Sequence, residues 1–549
     1  MKLDYIVVGA GPAGLQLAYF LEKQQQSYTI VESAERVGEF FRHYPRHRKL
    51  ISINKVNTGF DDAEMNLRWD WNSLLNDKVF FPEYSQDYFS SADKLTDYLE
   101  DFTTTHNLNI KFGFKVLNVS KSGGEFVLKS ESGEVVQGKN LIVATGFSKE
   151  KVPTFPGAEL AEMYSEHDID PMKYKNKRVL ILGKGNSALE TAENLIETSA
   201  TVALCSPNPI KLAWNTHYVG NVRAVNNNFL DTYQLKSQNI VLDADITSLE
   251  RTDDGKIMAH IHYTHAKDEL RSIPFDHVIM ATGFKFDNTI FDESCRPALS
   301  HEGKFPKMTS SWESTNVSNM YFAGVLMHQR DFKRTMSGFI HGFRYNIRAL
   351  SHILNKKNNG IAWPAEKLSA DSAVIAKHVL RQLTYSSSMF LQPGFMGDVM
   401  VFDTPEDVIY MKDVPIEYME DSELSSKESY CTISLEYGDF SHVTDPFNIE
   451  RDPSPAKAHE VEYLHPIIRF YSKGKMSYER HILEDLENDY ERECFREVTE
   501  NIFKEALMEA AMTSDFVKPA MQKTVMPKVV IGTNAAMGKD IASPMEIAE

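Results

Sequence analysis

Cysteine is nearly missing from this chain. The four present (Cys205, Cys295, Cys431 and Cys494) lie far apart among 549 residues and form no Cys-x-x-Cys pair. They build no disulfide framework and no metal-ligand cluster, so no metal is expected, and such usage suits a reducing compartment. Positive charge is also in deficit, with 59 Lys and Arg against 77 Asp and Glu and a net charge of −18. Nucleic acid and anionic membrane would repel such a chain, and neither is expected as a partner. Unbroken apolar runs are lacking too. The longest, Ile6 to Leu21, is interrupted by three glycines and a proline, so it is not a membrane span. A strand starts within a few residues of Met1, leaving no room for a signal peptide, and the closing MEIAE is no ER-retention address; a cytoplasmic location is expected.

What is present is a pair of dinucleotide-binding signatures. The first reads DYIVVGAGPAGLQLAYFLEKQQQSYTIVES: a strand, Gly9-x-Gly11-x-x-Gly14, an amphipathic helix, and a second strand ending at Glu32. Gly9 permits the tight turn and Gly11 lets backbone N–H groups approach a pyrophosphate. Pro12 and Ala13 open the helix, and Gly14 lets it pack close to the strand. Glu32 is placed to accept from adenosine ribose hydroxyls. The second signature is KRVLILGKGNSALETAENLIETSATVALCS, with Gly183-x-Gly185-x-x-Ala188 enclosing Asn186 and Ser187. Its second strand ends at Cys205–Ser206 without an acid. An acid there would repel a 2′-phosphate, whereas Ser206 and nearby Lys211 would accept one, which favours NADPH with NADH as the alternative.

Two strands end in the same Ala-Thr-Gly-Phe, LIVATGF (Leu141 to Phe147) and DHVIMATGF (Asp276 to Phe284). NMYFAGV then supplies another strand and glycine turn, and SGFIHGFRYNIRAL a helix. The economical fold is α/β, with two nested Rossmann-like units and a C-terminal α+β module. Residues 1–155 and 276–360 form the first unit, 156–275 the inserted one, and 361–549 the module. In the module, a helix is expected over Ala365 to Leu383 and a long one over Tyr478 to Met512. Strands are expected at VMVF, CTISLEY and HPIIRFY, and the last twenty-five or so residues look frayed. The module shapes either the substrate pocket or a homodimer interface. Thr145, Thr282, Gly283, Gly324, Gly338 and Phe339 join the cofactor-binding residues of the two units.

Nested units with internal Ala-Thr-Gly strands resemble the FAD/NAD(P)H flavoproteins that include flavin-containing monooxygenases and disulfide reductases. More narrowly, AGPAGLQLAYFL, YPRHRKLISINK, WNSLL, GKGNSALETAENL, WNTHYVG, LDTYQLKS and GFIHGFRY resemble the family of FAD-dependent oxidoreductase domain-containing protein 2, an ER-lumenal group; SLEYG and LHPII extend the likeness toward the C-terminus. The resemblance implies bound FAD reduced by NADPH. It also bears on RHYPRHRKLISINK, which holds five Lys or Arg and two His in fourteen residues. In such flavoproteins this segment passes under the FAD pyrophosphate and beside the isoalloxazine, so Arg42, Arg46, Arg48 and Lys49 would neutralise phosphates or hold the reduced flavin's anion, Arg46 and Arg48 foremost. A solvated basic loop is the plainer alternative.

Disulfide reductases of this kind need two cysteines beside the flavin, and residues 33–140 contain none. Oxygen or a small acceptor is left. By rough alignment Asn54, with Lys55 beside it, matches the asparagine that flavin monooxygenases keep near the flavin, although a turn residue bonding its own backbone fits as well. The monooxygenase Phe-x-Gly-x-x-x-His fingerprint fails, because Ala161 replaces the histidine. Val325 stands where an Asp often follows the last glycine turn. Trp69 and Trp71 read as packing aromatics. His341 opens a helix aimed at the flavin pyrimidine, and is either a catalytic group or a satisfied core histidine. The leading expectation is an FAD- and NADPH-dependent enzyme using a flavin hydroperoxide to hydroxylate or halogenate a small aromatic substrate, with oxygen and halide as co-substrates. A reductase of a small acceptor, and an FAD-stabilised interaction protein with a vestigial redox site, are the alternatives.

Overall fold

The computed structural model describes residues 2–513 and contains three large sheets. The first grows from Leu3–Val8, which pairs in parallel with Tyr28–Val31 on one side and Val135–Val143 on the other; Tyr5 faces Tyr28 and Asn140. Ile110–Lys111 and Met320–Phe322 extend the parallel part. Glu125–Ser130 and Val116–Ser122 add an antiparallel arm. The central strands are apolar at nearly every position because helices Pro12–Lys23, Ala92–Thr105 and Ile340–Asn359 pack into the same core. Proline at the first helical position and Gly360 in left-handed conformation (φ 70°) at the end set two of these helix limits.

The second sheet places Glu162–Met163, His277–Met280, Arg178–Leu182, Thr201–Ser206 and Ile240–Arg251 side by side in parallel. Ile257–Tyr263 and Leu270–Phe275 fold back antiparallel at its edge. This corrects the expected boundary at 276. His277–Met280 lies between two strands of the inserted unit, so the return to the first unit falls after Met280. The crossing is made by Phe284–Lys285, paired antiparallel with the outgoing Lys149–Glu150.

The C-terminal module is a six-stranded antiparallel sheet that includes Met396–Phe402, Ser429–Glu436 and His465–Ser472, where strands were expected. Two helix expectations are corrected. Glu366–Ser369 is an edge strand, and the helix begins at Ser372 because the Asp371 carboxylate accepts from the Ala373 and Val374 N–H groups. Lys475–His481 is likewise a strand, paired with His465–Ser472, and the last helix spans Glu493–Thr513. The expected frayed tail lies outside the described residues. Arg68, fully buried, ties the module to the first unit by donating to the Leu383 and Ser386 carbonyls and lying 4.5 Å over the Phe390 ring. Arg348 adds an ion pair to Asp413 at 2.7 Å. No helix among the described residues is long and apolar enough to cross a membrane.

Candidate active site

A cavity of about 770 Å³ is walled by both dinucleotide units. Gly9, Gly11, Pro12, Ala13 and Glu32 line it from the first glycine turn, with Thr145 and Gly324 from later strand ends. Gly338, Phe339 and His341 line it at the start of helix Ile340–Asn359, while Asn186 and Ser187 come from the inserted unit. Thus most of the expected first-turn residues converge. The glycines divide the work. Gly9 has φ +107°, and a Cβ there would stand 2.7 Å from the Ala144 carbonyl oxygen. A Cβ on Gly14 would stand 2.0 Å from the Gly9 carbonyl oxygen, so Gly14 serves packing rather than the cavity. A Cβ on Gly11 meets no protein atom within 4 Å, which leaves the helix N-terminus open to a ligand. Gly183 (φ +128°) and Gly185 repeat the pattern, one closed against Ala281 and the other open, and Ala188 fits under the turn.

Glu32 is buried, and its carboxylate accepts from the Ala10 N–H at 2.7 Å and the Ala34 N–H at 2.9 Å. Those bonds fix it at the strand end, facing the cavity.

The basic stretch behaves differently from expectation. Arg42 pairs with Glu100 at 2.6 Å, Arg46 donates to the His167 carbonyl at 2.8 Å, and Arg48 donates to the Phe41 carbonyl and to Asp93. None of the three lines the cavity, and of the charged residues of the stretch Lys49 alone reaches the wall, beside Tyr44, Pro45, Leu50, Ile51 and Ser52. Asn54 is corrected as well. Its side chain is buried and donates to the Ser85 and Asp87 carbonyls, which pins the 85–87 loop, and Asn54 does not line the cavity. Lys55 is exposed. Of the remaining inserted-unit candidates, Ser206 donates to the Asn208 carbonyl at 3.3 Å and Lys211 is exposed, both off the cavity. Thr282 donates to the Lys151 carbonyl and Gly283 supplies a left-handed turn (φ +85°), so both serve the crossing between units.

His341 does reach the cavity. Its ring stacks on Trp71 with centroids 4.1 Å apart, and Phe339 continues the stack at 5.8 Å. Burial, with the Arg344 and Arg223 charges, holds its pKa well below the usual imidazole value, so the ring is neutral, and its buried Nε2 has no hydrogen-bond partner among the described residues. Trp69 packs on Phe60, as a packing aromatic should. Trp71 is instead part of the wall: the Asp70 carboxylate accepts from the Asn72 and Ser73 N–H groups, and this turn presents the indole.

Two wall residues escaped the sequence reading. Arg223 lies 5.2 Å over the Trp71 ring and donates to the Ile51 carbonyl at 2.8 Å, bridging the units. No local pattern marks it. Glu190 sits one helical turn after Ser187, and the i, i+3 spacing was its available signal. Burial pushes its carboxyl up to about 7, and among the described residues it accepts from the His47 N–H at 3.1 Å. Cys205, Cys295 and Cys431 are buried, with thiols pushed up by burial, and Cys494 is exposed on the last helix; none lines the cavity.

The residues present fit FAD. Gly11 leaves room beside a helix N-terminus for a pyrophosphate, Glu32 would offer ribose an acceptor, and the aromatic wall of Trp71, Phe339 and His341 would suit a flat ring. Comparison with known proteins agrees. Residues 6–324 match the pyridine nucleotide-disulphide oxidoreductase family. FAD-dependent oxidoreductase domain-containing protein 2 of Mus musculus is 35% identical over 506 residues, covering 85% of this chain and 76% of the relative. Its Danio rerio counterpart is 36% identical over 523 residues, covering 85% and 75%. Among solved structures, a flavin-containing monooxygenase from Stenotrophomonas maltophilia shares the fold over 65% of this chain and 99% of that one (TM-score 0.51, 18% identity). Bacillithiol disulfide reductase from Staphylococcus aureus does so over 65% and 100% (TM-score 0.50, 19% identity). With the open glycine turn, the strand-end acid and this extent of shared sequence in hand, the chain belongs to the FAD-dependent oxidoreductase domain-containing protein 2 family and is an FAD-dependent oxidoreductase.

Proposed function

We propose that the protein takes hydride from NADPH and uses oxygen to oxidise a small planar substrate, by hydroxylation or halogenation of an aromatic ring. The observation that carries this reading is one cavity joining an open Gly11 turn to Asn186 and Ser187 of the second unit, with no thiol on its wall. FAD bound there would supply the hydride acceptor and the electrons passed onward. The chain's own residues supply the rest. Helix N-termini at Gly11 and Gly185 receive phosphates. Trp71, His341 and Phe339 form an aromatic shelf for a flat ring. Arg223 offers charge beside it, and the ring of His341 completes the shelf. Small substrate and oxygen are the reactants, with halide added in the halogenating case.

A second reading, reduction of a small acceptor, is favoured by Asn54, which bonds the Ser85 and Asp87 carbonyls and does not line the cavity. A purely structural role for the cofactor leaves the open turn at Gly185 without a purpose.

The test is anaerobic addition of NADPH or NADH to the purified yellow protein, followed by oxygenated buffer containing a panel of phenols and indoles with and without bromide. Hydroxylated or brominated product matching NADPH consumed supports the proposal. Peroxide accounting for all NADPH across the panel supports the reductase, and no bleaching by either nucleotide overturns both.

A further inference from the structure

Outside the cavity, one buried polar chain crosses from the inserted unit to the first. The Tyr218 hydroxyl lies 2.8 Å from Nε2 of His328, and Nδ1 of His328 lies 2.9 Å from the Asp331 carboxylate. All three side chains are buried. The proton placement follows from the donors available. Asp331 also accepts from the Thr335 hydroxyl and the Ser337 N–H, so its carboxylate takes only donors, and Nδ1 of His328 carries the proton. In that tautomer of the ring Nε2 accepts from the Tyr218 hydroxyl.

The position of this chain gives it consequence. On the first-unit side, Ser337 leads directly into Gly338 and Phe339 of the cavity wall, and a Cβ on Gly338 would come within 3.0 Å of the His328 ring. On the other side, Tyr218 precedes Val219, which lines the cavity, and the same segment reaches Arg223 over Trp71. Asn186 ties the far end, accepting from the Arg223 N–H and donating to the Asn221 carbonyl. The C-terminal module grips the segment's outer face. Tyr437 stacks on His217 at 4.6 Å, and Phe447 meets Trp214 at 5.3 Å.

We propose that Tyr218, His328 and Asp331 are positioning residues: a latch that docks segment 213–223 of the nicotinamide unit on the flavin unit and so sets where Arg223 and Val219 stand in the cavity. This rests on the reading that the nucleotide of the second unit reduces the flavin of the first, but the latch itself is a property of the chain and is measurable without turnover.

The test is Tyr218→Phe, which removes one hydroxyl and keeps the ring. Hydrogen exchange of the 213–223 amides is expected to accelerate roughly tenfold, the scale of one lost buried hydrogen bond, with FAD content unchanged. Flavin bleaching at saturating NADPH should slow by the same order, with little change in the NADPH concentration giving half the maximal rate, while bleaching by dithionite stays at the wild-type rate. Asp331→Asn keeps the shape but frees His328 to carry its proton on either nitrogen, and it should accelerate exchange in the same segment by a smaller factor. Wild-type exchange in both variants overturns the latch. Accelerated exchange in a protein that neither NADPH nor NADH bleaches leaves the latch standing and removes the hydride reading instead.

Discussion

Gly11→Val separates folding from cofactor binding more cleanly than any other change at the site. Gly11 has φ −78° and ψ 178°, extended backbone that any residue adopts, and its Cβ would meet no protein atom within 4 Å. Folding should therefore lose at most about 1 kcal/mol, through local propensity at the start of the helix. The added methyls point where a pyrophosphate must approach the backbone. Overpacking costs about 1–3 kcal/mol, and forfeiting a hydrogen bond to a charged phosphate about 1.5–3 more. The sum, about 3–6 kcal/mol, is a loss of roughly 10²- to 10⁴-fold in FAD affinity. Gly14→Ala is the contrasting change. Its Cβ would lie 2.0 Å from the Gly9 carbonyl oxygen, so the helix must leave the strand and the protein should fail to fold. Absorbance at the flavin and protein bands after purification, FAD titration of the stripped protein, and thermal melts of the apo forms check the pair. Gly11→Val protein that keeps wild-type FAD affinity, or that unfolds like Gly14→Ala, would refute the reasoning.

Glu190 should give a pH signature. The folded carboxyl holds its proton up to about 7 whereas the ordinary value is 4.5, so the folded state binds more protons between them and stability falls as pH rises through that window. Glu190→Gln keeps the acceptor for the His47 N–H, and should remove that slope and stabilise the protein at pH 8 by about 2–3 kcal/mol, seen in denaturant melts. Asn54→Leu leaves the Ser85 and Asp87 carbonyls without their donor, and should cost about 1–3 kcal/mol without altering the ratio of product to peroxide; a changed ratio would return Asn54 to the chemistry. Arg46→Ala removes a bond to the His167 carbonyl and should leave FAD affinity within about twofold, so a large loss would reinstate it as a cofactor clamp.

The stretches that declared themselves in the sequence are those where local chemistry has one structural solution. Gly9, Gly11 and Gly14 between an apolar strand and an amphipathic helix admit one turn, and the structure shows why: two positions have no room for a Cβ and one must stay open. Glu32 at the strand end and the repeat at Gly183 and Gly185 follow from the same turn. The basic stretch misled because charge in a sequence does not say what it pairs with. Arg42, Arg46 and Arg48 donate to Glu100, the His167 carbonyl and Asp93, partners 45 to 121 residues away.

The sequence by itself determined two glycine-turn units, a cofactor for the first, and the exclusion of a thiol relay, because each rests on residue identity within one short segment or on a residue type that is absent. Only the tertiary structure decided which side chains meet at the cavity. Arg223 over Trp71, Trp71 on His341 and Tyr218 against His328 join elements up to 270 residues apart, since Trp71 and His341 stack directly. Contacts of that span are set by how the two sheets dock. Residue spacing carries no record of docking, and for that reason the chemistry-bearing wall of this protein was out of reach until the chain was folded.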